Sequence, residues 1–472
     1  MFCPLHEAAR QFGGAAALIK SNASVRLSIS ASGSKPDAEG TFSPAFKPPV
    51  RWSFQDWDAA AEALRPAARG SGPVAIQDPS SPAAAAMLFA ALREDRPVVL
   101  LSHRLPAEEV DDICRRLGIS TRWLGPEIPI PALRSPSPEG TRVTAGIATV
   151  LMTSGSAGRP KAVAHTVAAH CANAAGSHEN IPFRTGHIWL QSLSLHHIGG
   201  LAMLFRALHG GGAVAFPEDG DRLDAACHTL GATHLSVVAT QLQRLLGARP
   251  LPDLAAVLVG GGPIPPALVS RALEASLPIH TTYGMTEMGS QVTTTPPGAG
   301  QHTLRTAGHP LGGRSVRIAE DGEILVRGTP LMAGYLQDDG TLDPGVDQDG
   351  WYHTRDIGTL DAVGLRVTGR KDLMFISGGE NIYPEEIERV LMGIPGVQAA
   401  VVVAVPDPTW GARPIAFVLG GGDEGSLKAA ARQSLAGFQV PDRILPWPED
   451  APGWRGKPPR RWFAECALGI TG

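Results

Sequence analysis

Three short runs in this sequence hold groups that can handle a polyphosphate. The first is Thr153-Ser154-Gly155-Ser156-Ala157-Gly158-Arg159-Pro160-Lys161. Small hydroxyl residues and glycines let backbone N–H groups approach an anion closely, and a terminal lysine adds a point charge. The GxxxxGK[ST] spacing of a P-loop is absent, so spacing alone leaves an ordinary Gly/Ser turn equally open. Lysine usage favours the anion reading: only positions 20, 35, 47, 161, 371, 428 and 457 are lysine, among 41 Lys and Arg. The second run is Tyr283-Gly284-Met285-Thr286-Glu287. A carboxylate there can hold Mg2+ on phosphate oxygens, because Mg2+ takes one or two carboxylates plus phosphate; the alternative is a surface glutamate after a turn. The third is Gly350-Trp351-Tyr352-His353-Thr354-Arg355-Asp356, whose aspartate can accept two hydrogen bonds from a ribose diol or simply close a turn. Downstream lie Gly369-Arg370-Lys371-Asp372 and Ser377-Gly378-Gly379-Glu380-Asn381, and near the end Gly456-Lys457, a lysine that by itself reads as solvated.

These runs need elements to position them. Val74–Gln77, Pro97–Leu101, Ala148–Met152, His187–Leu193, Ala213–Phe216, His234–Val238, Ala255–Val259 and Ile279–Tyr283 read as strands. Helices are expected over Ser81–Arg93, Pro106–Leu117 and Gly200–Leu208, and residues 134–141 read as a loop. The alternation predicts a mainly parallel α/β sheet, which binds ligands at the carboxyl ends of its strands. After residue 300 the pattern turns to hairpins, Arg314–Arg327 around Asp321-Gly322 and Leu360–Val367 around Gly364. A helix then opens at Pro384 with Glu385 and Glu386 in its first turn, followed by strands Ala399–Val405 and Pro414–Leu419. The expected division is residues 1–371 and residues 372–472. Residues 1–50 carry little pattern beyond a first helix or strand.

Composition narrows the function classes. The chain has 472 residues, net charge −4 and 43% apolar residues, enough for a large core. No basic arm points to nucleic acid. No apolar run approaches the roughly 20 residues of a membrane span. Five widely spaced cysteines without a CxxC pair argue against disulfide and zinc frameworks and suit a cytoplasmic enzyme.

Taken in order, the runs resemble the adenylate-forming superfamily of acyl-CoA synthetases, adenylation domains and luciferases, over roughly residues 50–465. The resemblance implies an α/β fold: a large N-terminal domain of mainly parallel sheets plus a β subdomain, and a small mobile α+β C-terminal domain. It implies ATP, Mg2+ and CoA as cofactor and co-substrates, a small-molecule carboxylic acid, and an acyl-adenylate route to a thioester. By position, Thr153, Ser154, Gly155, Ser156, Gly158 and Lys161 would wrap the phosphates. Gly261, Gly262, Tyr283 and Gly284 would line the adenine and acid sites. Thr286 and Glu287 would hold phosphate and metal, Asp356 the ribose hydroxyls, Arg370 the ribose or phosphate, and Lys457 the α-phosphate. Asp372 would be the hinge, and Gly378 and Gly379 would face CoA. Ala157, Ala162 and Gly262 depart from commoner residues without removing a charge.

Leu193-Ser194-Leu195-His196-His197-Ile198-Gly199-Gly200, Phe205-Arg206, Val238-Ala239-Thr240-Gln241-Leu242 and Thr354-Arg355-Asp356 resemble the o-succinylbenzoate–CoA ligases of menaquinone synthesis. Most relatives outside that branch have glycine where Arg355 stands. Such an acid keeps a second carboxylate charged in the pocket, which needs a cation or several hydrogen bonds. Arg206 is the candidate anchor, with Gln241 and Ser290 as polar helpers, although Arg206 lies off its helix's apolar stripe and a solvated role stays open. His197 would stand between acid and thiol. Another aromatic or short acyl acid, or a separate carrier protein as acceptor, are the alternatives, and a homo-oligomer is compatible.

Overall fold

The computed structural model describes residues 3–20, 50–78, 80–119, 121–125, 129–131, 146–153, 160–218, 220–248, 250–251, 254–452 and 459–471. The 134–141 loop expected from sequence lies outside them. The parallel alternation holds in a nine-stranded sheet. Ala16–Lys20, Ala213–Phe216, Ile188–Leu190, His234–Val237, Ala256–Val259 and Ile279–Met285 lie side by side in that order, all parallel. Residues of the unread N-terminal stretch thus supply a strand of this sheet, and a helix over Pro4–Phe12.

The eight-stranded sheet is mixed. Thr121–Trp123, Val74–Ile76, Val98–Leu100 and Ile147–Thr153 run parallel. Ile147–Thr153 then returns as an antiparallel hairpin through Lys161–Thr166, against which Gly334–Leu336 pairs. The return has a functional consequence, because it brings Thr153 opposite Lys161 in register.

Helices fill the space between the sheets. Pro82–Arg93 starts at Ser81, whose hydroxyl accepts the Ala84 N–H at 3.1 Å, with proline at the first helical position. Residues 84–92 are buried on every face, as a helix between two sheets must be. One apolar cluster draws on this helix, on Val167–Asn180 and Ile198–Gly210, and on strands of both sheets. A four-stranded antiparallel sheet follows, ordered Arg314–Ile318, Glu323–Gly328, Tyr352–Leu360, Leu365–Arg370.

After Asp372 the chain forms a hairpin, Phe375–Ser377 with Glu380–Ile382, a helix Pro384–Met392 and a three-stranded sheet. These elements share their own core, including Ile387, Leu391, Val402 and Ala416. They touch the preceding sheet where Arg389 donates to the Val367 and Thr368 carbonyls at 2.9 and 3.1 Å.

Candidate active site

The carboxyl end of strand Ile279–Met285 carries Tyr283 to Asp356. The Tyr283 hydroxyl donates to Asp356 Oδ2 at 2.6 Å. Arg370, paired with Asp356 in register, donates to Asp356 Oδ1 at 3.1 Å. Its Nε and Nη2 reach the two oxygens of Asp372 at 2.9 and 3.1 Å. Burial and the Asp356 charge push the Tyr283 phenol well up, so it stays a donor. For Arg370, burial works against the charge, and Asp372 and Asp356 outweigh it. One fixed carboxylate between a phenol and a guanidinium is suited to a vicinal diol.

A local irregularity aims Asp356. Glu323 pairs with Ile357 but Leu325 pairs with His353, so the 352–360 strand bulges between them. Bulges re-aim side chains and leave ladder groups unpaired. Thr354 fills the gap: its hydroxyl donates to the Ile324 carbonyl at 2.6 Å and accepts the Asp356 N–H at 3.0 Å. Arg355 takes a φ of +62°, a region that glycine enters freely and that costs other residues on the order of 1–2 kcal/mol.

Glu287 lies in the turn after the same strand. Its Oε1 accepts the hydroxyls of Tyr335 at 2.9 Å and Tyr352 at 3.2 Å. Burial and the Glu287 charge raise both phenols. Lys161 Nζ stands 4.6 Å above the Tyr335 ring, at the mouth of the hairpin that Thr153 closes. The turn is tied down from beneath. His165 Nε2 lies 2.8 Å from the Thr286 carbonyl oxygen, which can only accept, so that nitrogen carries the proton. Burial holds this imidazole neutral, at about 4. A lysine and a single carboxylate, both in contact with Tyr335, fit an Mg2+–polyphosphate, which asks for one or two carboxylates. Ser154, Gly155, Ser156, Gly158 and Lys457 lie outside the described residues.

Arg206 is 3% exposed. Its Nη2 donates to Gln291 Oε1 at 2.8 Å, with Ser290 Oγ at 3.4 Å, and its guanidinium stacks over Trp189 at 4.8 Å. Nε and Nη1 are buried without a hydrogen-bond partner. No carboxylate pairs with Arg206 among the described residues. Burial and the nearby Arg314 pull its pKa down to about 9. Gln241 is occupied elsewhere: its Oε1 accepts the Val238 N–H at 3.0 Å and its amide donates to the Ser192 carbonyl at 3.2 Å. It ties the start of its own helix to the chain at Ser192.

His197 precedes helix Ile198–Gly210 with its ring 4.4 Å from that of His196. Burial lowers both imidazoles, His196 to about 3. Gly261 follows strand Ala256–Val259 at φ +81°, and Gly262 faces open space. Gly284 allows close approach, since a Cβ there would meet the Ser290 carbonyl oxygen at 2.1 Å. Gly378 and Gly379 turn the 375–382 hairpin, away from Tyr283 along the chain.

Sequence reasoning missed Tyr335, Tyr352 and Gln291. A signal for the first two was available. The chain has four tyrosines, and three of them, Tyr283, Tyr335 and Tyr352, converge on Glu287 and Asp356. Gln291 carried no comparable signal, because its role depends on a strand register.

An AMP-binding enzyme family profile matches residues 127–336, and the AMP-binding enzyme C-terminal domain matches residues 386–452. A 2-succinylbenzoate–CoA ligase of Bacillus cereus is 38% identical over 314 residues, 62% of this chain and 65% of that protein. The aligned stretch thus spans under two thirds of that relative's length. The o-succinylbenzoate CoA synthetase (MenE) of Bacillus subtilis, in complex with the acyl-adenylate intermediate OSB-AMP, superposes with TM-score 0.80 at 26% identity, covering 98% of each chain. The same enzyme in complex with ATP and magnesium ion gives TM-score 0.77 at 27% identity, covering 94% of this chain and 95% of that one. The two family profiles in sequence order, on a fold shared from end to end, place the chain among the AMP-binding enzymes.

Proposed function

We propose that the protein is an ATP-dependent o-succinylbenzoate–CoA ligase, working through an acyl-adenylate. The carrying observation is Arg206, a buried guanidinium with two unpartnered nitrogens and no carboxylate of its own. Burying a charge without a counter-charge is costly. A substrate with a second carboxylate supplies that counter-charge, and Trp189 beside it suits an aromatic ring. The named relatives support the same acid.

In this reading the 1–371 region binds ATP and the acid, and 372–472 moves about Asp372. Asp356 holds the ribose hydroxyls, with Tyr283 and Arg370 fixing its orientation. Thr153, Lys161 and Thr286 face the phosphates. Glu287 would hold Mg2+, which supplies charge neutralisation on the phosphate oxygens when bound. One carboxylate oxygen of the acid attacks the α-phosphorus, the bond to the β-phosphate oxygen breaks, and pyrophosphate leaves. Lys457 would offset charge at the α-phosphate. The CoA sulfur then attacks the acyl carbon and AMP leaves, with His197 between the two pockets and Gly378-Gly379 on the CoA side.

The test is AMP release by the purified protein with ATP, Mg2+ and CoA across a panel of acids. The expected result is a strong preference for o-succinylbenzoate. Preference for benzoate or a fatty acid would overturn the substrate assignment and leave the two-step chemistry standing.

A further inference from the structure

We infer that Glu323 is a positioning residue for the ribose-binding carboxylate Asp356; the inference rests on the ribose role proposed above. Glu323 sits on the strand next to the bulge and is 5% exposed. Its Oε1 accepts the Arg355 N–H at 2.8 Å. That amide belongs to the bulged stretch, so the neighbouring backbone does not serve it, and the side chain does. Its Oε2 lies 3.2 Å from Lys371 Nζ, which also pairs with Asp321, and 3.6 Å from His353 Nδ1.

The two residues that Glu323 grips are each next in sequence to a member of the diol cluster. Arg355 precedes Asp356, and Lys371 follows Arg370. The Lys371 N–H donates back to the Arg355 carbonyl at 2.7 Å, closing the link between the strands. Arg355 is joined to Asp356, and Lys371 to Arg370, through a single peptide unit. Holding the Arg355 N–H and the Lys371 ammonium therefore fixes the backbone that carries Asp356 and Arg370. Without an acceptor for its N–H, Arg355 has little reason to hold φ +62°, and release of that strain would swing Asp356 away from Tyr283.

The experiment compares equilibrium binding of ATP and 2′,3′-dideoxy-ATP, with Mg2+ and no acid, to four folded proteins: the unaltered chain, Asp356→Ala, Glu323→Ala and Glu323→Gln. The diol's hydrogen bonds to a carboxylate give a preference for ATP on the order of 10- to 100-fold. Asp356→Ala is expected to abolish it. Glu323→Ala is expected to reduce it to about threefold or less, and Glu323→Gln, which keeps an acceptor for the Arg355 N–H, to retain most of it. Should Glu323→Ala not fold, Glu323→Asp draws the oxygen back by about one methylene while keeping the charge, and the same loss is expected. A merely structural glutamate would lower stability and leave the preference intact in the folded protein, which would overturn the inference. No preference in the unaltered chain, or its survival in Asp356→Ala, would overturn the ribose assignment and the inference with it.

Discussion

In the proposed reading, substrate choice turns on Arg206, a buried arginine held short of a counter-ion. Arg206 is lowered to about 9 by burial first and by Arg314 second. The second carboxylate of the proposed acid supplies the missing counter-charge and raises that pKa again. Thr354 acts at the same scale. Thr354→Val keeps the shape but strands the Ile324 carbonyl and the Asp356 N–H. A loss of about 1–3 kcal/mol in denaturant-measured stability is expected.

At the scale of elements, the strands, helices and hairpins were legible because their apolar periods and turn residues are local signals. Pro384 and Glu385 announced their helix, and Gly364 its turn. The antiparallel return through Lys161–Thr166 was not legible, since a run of four buried residues, 162–165, reads alike in parallel and antiparallel sheets. The bulge at Arg355 was also hidden, although a glycine in relatives at that position points to positive φ. Of the site, Tyr283, Asp356 and Arg370 were found by wording and come together in space. Gln291 and Glu323 act through register and could only be seen folded. The 375–382 hairpin offers a test of its own. Gly378 has φ +61°, and a Cβ would meet the Trp410 ring at 2.6 Å. Gly378→Ala should slow thioester formation by about tenfold or more and spare pyrophosphate exchange. Equal loss in both steps would place the hairpin in adenylation instead.

Across the whole molecule, several imidazoles are buried neutral. Burial holds His165 at about 4 and His196 and His234 at about 3, against about 6.5 in the unfolded chain. The stability they contribute is complete above pH 6.5 and is lost as pH falls through that value toward 4 and 3. For His165 the slope is about 1.4 kcal/mol per pH unit inside its window. Thermal midpoints should decline steadily between pH 6.5 and 4, and a flat profile would contradict this. The two-step cycle predicts that Lys457→Ala abolishes adenylate formation yet spares thioester formation from supplied acyl-adenylate; equal loss in both would remove Lys457 from the first step. The most direct test of the account is the ratio of kcat/KM for o-succinylbenzoate to that for benzoate, before and after Arg206→Met. The account predicts a ratio that falls by about 30-fold or more, as expected for an anion deprived of its buried partner, with benzoate turnover nearly unchanged. An unchanged ratio, or equal loss for both acids, would contradict Arg206 as the anchor of the second carboxylate.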